Sequence, residues 1–165
     1  MITVVLGGAS SGKSAVAERL VARHPLPVTY VATGVATDED MAARIRVHQA
    51  RRPSSWRLVE VDGRELVSAV ASLRGTVLLD SLGTWMASLY PYAVDDAGLL
   101  SGALTCREGD TVVVTDEVGL GVHPGTELGR HFRDDLGRLN TAVSEVADEV
   151  LLVVAGRILP LELLD

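Results

Sequence analysis

Residues 2–14 read ITVVLGGASSGKS, a short apolar run followed by a glycine-rich segment that ends in lysine and serine. Gly7, Gly12, Lys13 and Ser14 meet the spacing GxxxxGK[ST], which is typical of a phosphate-binding loop between a strand and a helix. Glycines let main-chain N–H groups turn toward a polyanion, and the helix that follows presents the positive end of its dipole. The lysine would reach the β- and γ-phosphates, and the serine hydroxyl would bind Mg²⁺. The alternative is a chance glycine-rich turn, but the predicted strand and helix on either side favour a nucleotide-binding loop.

Composition limits the class of protein. The 165 residues fit one domain, predicted to cover 1–165, and the net charge of −7 argues against a nucleic-acid partner. The lone Cys106 excludes a disulfide within the chain and a cysteine-cluster metal site. This cysteine usage favours a cytoplasmic location. The longest uncharged stretch, 81–94, contains Gly, Thr, Ser and Pro, so we expect no membrane span.

Apolar runs alternate with helical periodicity along the chain, which predicts an α/β fold with a mostly parallel sheet covered by helices on both faces. The predicted strands cover 2–6, 28–33, 57–61, 76–79, 111–115, 150–155 and 158–163, the last as a possible antiparallel edge. The predicted helices cover 13–23, 39–50, 64–73, 82–89, a short segment after Asp95, and 126–147. In such folds ligands bind at the carboxyl ends of the strands.

Carboxylates follow two of these strands. Asp80 ends the run VLL, where a phosphate-loop protein places the acidic residue that holds Mg²⁺, so it is the predicted partner of Ser14. The alternative for Asp80 is a helix N-cap, because a predicted helix follows it. Asp116 and Glu117 follow the next strand and form a second candidate pair, which could equally hold the loop 119–121 in place.

The segment 38–56, DEDMAARIRVHQARRPSSW, concentrates arginines around His48 and suits a second polyanion. From the residues alone, His48 is either a packed or capping histidine near a helix end or a functional group, and the arginines either a solvated face or an anion site. There is no NKxD-type guanine-reading motif, and the acidic composition disfavours a nucleic-acid motor. A small-molecule phosphotransferase is the leading physical interpretation.

Several stretches resemble, in order, the signatures of one family, the bifunctional adenosylcobinamide kinase / adenosylcobinamide-phosphate guanylyltransferases of cobalamin biosynthesis. They are GGASSGKS, YVATG (30–34), DEDMAARIRVHQARRPSSWRLVE (38–60), LLDSLGTW (78–85), TDEVGLGVHP (115–124) and ELGRHFRDDLGRLN (127–140). The combination of RIxxHxxxRPxxW with EVGxGxxP and LxRxFRDxxGxxN is specific. The resemblance implies a RecA-like phosphate-loop fold and a homo-oligomer, with a trimer favoured.

The resemblance implies a catalytic role for His48, which occupies the position of the histidine that attacks the α-phosphorus of GTP. A GMP-histidine intermediate would form and pyrophosphate would leave. The kinase activity would phosphorylate the aminopropanol hydroxyl of adenosylcobinamide with ATP or GTP, and guanylyl transfer to the resulting phosphate would follow. Mg²⁺ would be the cofactor, and Lys13 and Asp80 would complete the catalytic set.

The resemblance also assigns contacts with the nucleotide. The implied residues are Gly7, Gly8, Ala9, Ser10, Ser11, Gly12, Lys13, Ser14, Ala32, Thr33, Gly34, Gln49, Ala50, Arg51, Arg52, Glu60 and Asp80, with Ser14 and Asp80 binding the metal. Glu60 would contact guanine, since a carboxylate can accept its paired N1 and N2 donors. Arg51 or Arg52 would neutralise charge as pyrophosphate leaves.

Some positions depart from the family pattern: Asp116 stands where Asn is usual, and Gly34 and Gly83 stand where a larger residue is common. Two other functions remain open from the sequence. One is a kinase of another small molecule in which His48 is structural. The other is a non-enzymatic nucleotide sensor.

Overall fold

The computed structural model describes residues 1–25, 27–34, 39, 46, 50–61, 63–89 and 95–163. Its strands are β1 (Ile2–Gly7), β2 (Val28–Ala32), β3 (Arg57–Glu60), β4 (Thr76–Asp80), β5 (Thr111–Asp116), β6 (Glu149–Val154) and β7 (Arg157–Leu161). They form one seven-stranded sheet in the order β3-β2-β4-β5-β1-β6-β7. The strands β1 to β6 pair in parallel, and β7 pairs antiparallel with β6. The predicted sheet and its antiparallel edge are confirmed.

Helices connect these strands and flank the sheet. They are α1 (Lys13–Val21), α2 (Glu65–Ser72), α3 (Leu82–Ser88), α4 (Asp95–Cys106) and α5 (Glu127–Ser144). Of the predicted helix 39–50, the structure describes residues 39, 46 and 50, which are helical, and the other positions lie outside the described residues. No helix in the described part of the chain is long and apolar enough to cross a membrane.

The predicted helix after Asp95 is present, but it is not short: α4 spans 12 residues. Gly98 and Gly102 lower its intrinsic helix propensity and weaken the sequence signal. Leu100 and Leu104, four residues apart, are both buried in the core and hold the longer helix in place.

Two apolar clusters lie on the two faces of the sheet. The larger one joins Val4, Val31 and Leu79 of the strands to buried residues of α2, α3, α4 and α5. The smaller one joins Val5, Leu78, Val112 and Val114 to Val16, Ala17 and Val21 of α1. Successive residues of a strand point to opposite faces, which explains why nearly unbroken valine and leucine runs form these strands.

The strand order decides what lies at the carboxyl-end edge. The strand β5 is inserted between β1, which leads into the glycine-rich loop, and β4, which ends at Asp80. From β1 the chain passes through α1 to β2, and β2, β3 and β4 all lie on one side of β5. The last strands, β6 and β7, lie on the opposite side of β1. This reversal creates the crevice in which doubly wound sheets bind their ligands.

Candidate functional site

A cleft of about 440 Å³ opens at the carboxyl ends of the central strands. The glycine-rich loop and the start of α1 form one wall, and the ends of β2, β3 and β4 form the other. The cleft is lined by Ala9, Ser10, Ser11, Gly12, Lys13, Ser14, Ala15, Tyr30, Ala32, Gly34, Arg51, Arg52, Leu58, Glu60, Asp80, Ser81, Thr84 and Asp116. Its volume lies in the range of small-ligand sites.

The glycine-rich loop has a shape that its sequence requires. Gly12 adopts φ +93°, in the left-handed region that favours glycine, directly before α1 begins. At Gly7 a Cβ atom would lie 2.5 Å from Ser11 Oγ and 2.8 Å from the Val153 carbonyl oxygen, so no larger residue fits there. The Gly156 N–H donates to the Ser11 carbonyl oxygen at 2.7 Å, so the turn between β6 and β7 supports the loop.

Lys13 lies across the mouth of this loop. Its Nζ is 2.6 Å from Oδ1 of Asp116 and donates to the Gly8 carbonyl oxygen at 3.2 Å. The Lys13 side chain is 12% exposed and that of Asp116 31%. The lysine at the head of α1 is therefore held by an ion pair with the neighbouring strand β5.

Asp80 accepts a hydrogen bond from the Tyr30 hydroxyl at 2.8 Å, from the adjacent strand β2. Burial of the phenol, and then the nearby Asp80 carboxylate, raise the pKa of Tyr30 far above its usual value, so it remains a neutral donor. The N-cap of α3 is Ser81, whose Oγ accepts from the Thr84 N–H. The alternative role of Asp80 as the N-cap is wrong, because the helix begins one residue later than that role requires.

The hydroxyl groups of Thr33 and Thr84 and the main chain of Ser81 tie the ends of β2 and β4 together beside Asp80. Thr33 Oγ1 donates to the Ser81 carbonyl oxygen at 2.6 Å and lies 2.6 Å from Thr84 Oγ1. The Ser81 N–H donates back to Thr33 Oγ1 at 3.0 Å. Thr33 is buried and does not line the cleft, whereas Thr84 does. This network fixes the strand ends from which Asp80 and Gly34 face the cleft.

Two arginines line the cleft, one next to β2 and the other next to α1. The Arg52 guanidinium carbon is 3.7 Å from the centroid of the Tyr30 ring, a cation–π arrangement. Arg51 Nε is 3.3 Å from Glu18 Oε2 of α1. These contacts carry the end of the arginine-rich segment to the cleft, next to Glu60 at the end of β3.

The second predicted carboxylate pair divides into two roles. Glu117 Oε1 accepts from the N–H groups of Gly119 at 2.6 Å and Leu120 at 3.2 Å, so it holds the following loop. Asp116 faces the cleft and pairs with Lys13. The loop-holding interpretation is confirmed for Glu117, whereas a role of Asp116 in binding Mg²⁺ stays a prediction.

The cleft gathers most, but not all, of the residues assigned from the sequence. The loop residues 9–14 line it together with Ala32, Gly34, Arg51, Arg52, Glu60 and Asp80. Gly7, Gly8, Thr33 and Ala50 are described but do not line it. His48 and Gln49 lie outside the described residues. Tyr30 and Thr84 were missed as site residues, although Tyr30 precedes Ala32 by two positions in the strand and so shares its face.

A family model described as cobinamide kinase / cobinamide phosphate guanyltransferase matches residues 3–161. The chain belongs to this family. It is 39% identical over 175 residues to the "Bifunctional adenosylcobalamin biosynthesis protein CobP" of Pseudomonas aeruginosa, covering 98% of each chain. It is 37% identical to the "Bifunctional adenosylcobalamin biosynthesis protein CobU" of Salmonella typhimurium strain LT2, covering 94% of this chain and 97% of that one.

Solved structures of low sequence identity support the same fold. An ATPase from the type III secretion system of pathogenic bacteria superposes with a TM-score of 0.60 at 11% identity, over 92% of this chain and 50% of that one. At this identity the likeness concerns the fold alone. The predicted phosphate-loop fold is confirmed, and so is the resemblance to the cobinamide kinase / cobinamide phosphate guanyltransferase family.

Proposed function

We propose that this chain phosphorylates adenosylcobinamide and then transfers GMP from GTP to adenosylcobinamide phosphate. Membership in the cobinamide kinase / cobinamide phosphate guanyltransferase family supports both activities. The observation that carries the proposal is one cleft lined by the phosphate-binding loop, by Asp80 and by Arg51 and Arg52. These arginines follow His48 by three and four residues in the sequence.

For the kinase step, the main-chain N–H groups of the loop and the Lys13 ammonium bind the phosphates of ATP or GTP. Ser14 and Asp80 would hold Mg²⁺ through the oxygen ligands that it prefers, and the cation would neutralise charge on the transferred phosphoryl group. The described residues contain no group of three His, Cys, Asp or Glu side chains that would bind a metal alone. This fits a cation that takes most of its ligands from phosphate oxygens and water.

For the guanylyl step, a neutral ring nitrogen of His48 attacks the α-phosphorus of GTP, and the bond to pyrophosphate breaks. The GMP then passes from the histidine to a phosphate oxygen of adenosylcobinamide phosphate, which restores the imidazole. Arg51 lines the cleft and follows His48 by three residues. Three residues of extended chain span at most about 11 Å, so the two Cα atoms are no farther apart than that, which supports this assignment. Arg51 or Arg52 stabilises the departing pyrophosphate, and Glu60 accepts from guanine.

We also propose one domain over 1–165, a cytoplasmic location and a homotrimer. Strands from both ends of the chain belong to the same sheet, which supports a single domain. The edge strand β7 exposes Ile158, Leu159 and Leu161, each between 41% and 57%, which supports assembly with further copies.

The covalent step is tested by incubating the protein with Mg²⁺ and either α-labelled or γ-labelled GTP, followed by denaturation. We expect the α-label, and not the γ-label, to stay on the protein in an acid-labile, alkali-stable form. His48→Ala should retain no label. His131→Ala is the matched control, because His131 is an exposed residue of α5, and it should label like the wild type.

The other two functions predict different outcomes. A kinase of another small alcohol would transfer the γ-phosphate without cobinamide, and His48→Ala would leave that transfer unchanged. A nucleotide sensor would bind GTP without turnover on any corrinoid and would change its sedimentation on binding. Absence of retained α-label in a preparation that makes adenosylcobinamide-GDP would refute the covalent route.

A further inference from the structure

Asp116 is fixed in the cleft by a buried amide. The main-chain carbonyl oxygen of Asp116 accepts a hydrogen bond from Asn140 Nδ2 of α5 at 3.0 Å. Asn140 Oδ1 in turn accepts a hydrogen bond from the Thr115 hydroxyl at 2.6 Å. Asn140 is 6% exposed and Thr115 is fully buried, so water does not compete for these bonds. The main chain at the end of β5 is therefore held in place independently of Lys13.

The carboxylate of Asp116 also depends on a glycine. A Cβ atom at position 83 would lie 2.6 Å from Asp116 Oδ2 and 3.5 Å from its Cγ. Gly83 thus leaves the space in which the carboxylate reaches Lys13. The structure therefore brings position 83, in α3, next to position 116, at the end of β5.

The charged residues in the described lining of the cleft are equal in number for the two signs. Its described lining holds three cationic residues, Lys13, Arg51 and Arg52, and three acidic ones, Glu60, Asp80 and Asp116. Because Asp116 neutralises Lys13 at 2.6 Å, an incoming polyanion must break this pair and then lies next to the released carboxylate. A metal-free triphosphate carries two more negative charges than its complex with Mg²⁺, so the carboxylate opposes it more strongly.

Building on the proposed nucleotide-binding function, we propose that Asp116 is a selectivity residue that makes the cleft favour metal-bound over metal-free nucleotide. It acts as the counter-ion of Lys13, and Asn140 and Gly83 determine its position. The carboxylate lowers affinity for every polyanion, and the loss is larger for the metal-free form.

The test is calorimetric titration with a GTP analogue that has a methylene group between its α- and β-phosphates, in EDTA and in Mg²⁺. We expect Asp116→Asn to lower the Kd in EDTA about tenfold and the Kd in Mg²⁺ by less than about threefold. Asp116→Ala, which adds no hydrogen-bond donor, should shift both values in the same direction. Asp110→Asn is the matched control, since it makes the same charge change just before β5 begins, at the opposite edge of the sheet.

A second variant tests the role of the glycine. Gly83→Ala should displace the carboxylate and shift the Kd in EDTA like Asp116→Asn, and it should have no further effect when combined with Asp116→Ala. Equal shifts in EDTA and Mg²⁺, no shift, or the same shift in Asp110→Asn would overturn the inference. Failure of the wild type to bind the analogue under both conditions would instead refute the proposed nucleotide site.

Discussion

A long cationic side chain lies at the amino ends of the strands, and another lies at their carboxyl ends. The two side chains have different kinds of partner. At the amino-end edge, the buried Arg107 donates to the carbonyl oxygens of Leu73, Gly75, Gly109 and Asp110 and to the Thr111 hydroxyl. At the carboxyl-end edge, Lys13 has the Gly8 carbonyl oxygen and the Asp116 carboxylate as partners. The first cation is enclosed by main chain, and the second faces a cleft.

From this difference we expect Arg107 to act in stability and Lys13 to act in ligand binding. Burial lowers the pKa of Arg107, and main-chain acceptors from the segments before β4 and β5 compensate for the lost hydration. These acceptors are already bonded to a side chain that is 8% exposed, and Arg107 does not line the cleft. Lys13 can exchange its carboxylate partner for a phosphate without unfolding anything, because both side chains line the cleft.

The largest effect expected from this comparison is on binding by Lys13→Ala. Affinity for nucleotide and turnover should fall about 10²- to 10³-fold, because the cation that meets the phosphates is lost. The Tm should change by less than about 3 °C, since the pair is partly exposed and Asp116 can hydrate. Calorimetric binding and thermal unfolding measure the two effects, and a large loss of Tm with unchanged binding would contradict the distinction.

Arg107→Met should show the reverse pattern. We expect the free energy of unfolding to fall by about 3 kcal/mol, because several buried carbonyl groups lose their donor at once. The Tm should drop by about 10 °C, with nucleotide affinity of the folded protein unchanged. Arg138→Met is the control, since this exposed arginine pairs with Asp135 on the surface and should change stability by less than about 0.5 kcal/mol. Weaker nucleotide binding by folded Arg107→Met would break the comparison.

Asn140→Ala should affect both stability and binding, because this residue links the core to Asp116. Loss of its bonds to Thr115 and Asp116 should cost about 2 kcal/mol in chemical denaturation. The Kd for metal-free nucleotide should also fall, as the carboxylate is less firmly placed. Thr141→Ala is the control, because its hydroxyl bonds only within α5 on the exposed side. A loss of stability with no change in Kd would make Asn140 purely structural.

The smallest effect concerns Tyr30. Because its pKa is raised in the folded state, the neutral phenol contributes stability that is fully present below about pH 10 and is lost as pH rises through the folded-state pKa. The wild type should therefore lose more stability than Tyr30→Phe between about pH 10 and pH 12. Urea unfolding at several pH values measures this slope, and parallel slopes for the two proteins would contradict it.

Much of the fold follows from local sequence patterns. The run before Gly7, the glycine spacing and the serine after Lys13 predict a strand, a loop and a helix from neighbouring residues, and the structure confirms them. The apolar run before Asp80 is continuous, which predicts a strand that is buried on both faces. Asp80 is the first charged residue after this run and could therefore be placed at the end of the strand. The length of α4 could not be predicted, because tertiary burial of Leu100 and Leu104 outweighs the low propensity of its glycines.

Contacts between distant segments could not be predicted. The Lys13–Asp116 pair joins residues 103 positions apart, and its geometry depends on the space above Gly83. Arg107 has no sequence signal, because four of its five acceptors are main-chain carbonyl groups, which every residue possesses. The role of His48 came from the family resemblance, and it stays a prediction.

Mass spectrometry of the protein after exposure to GTP and Mg²⁺ would show whether GMP passes through His48. Trypsin cleavage after Arg46 and Arg51, at alkaline pH to preserve a P–N bond, releases the peptide VHQAR with His48 as its one histidine. We expect one guanylate on this peptide, and we expect it to disappear when adenosylcobinamide phosphate is added. An unmodified peptide, or a guanylate on another residue, from protein that still produces adenosylcobinamide-GDP would contradict it.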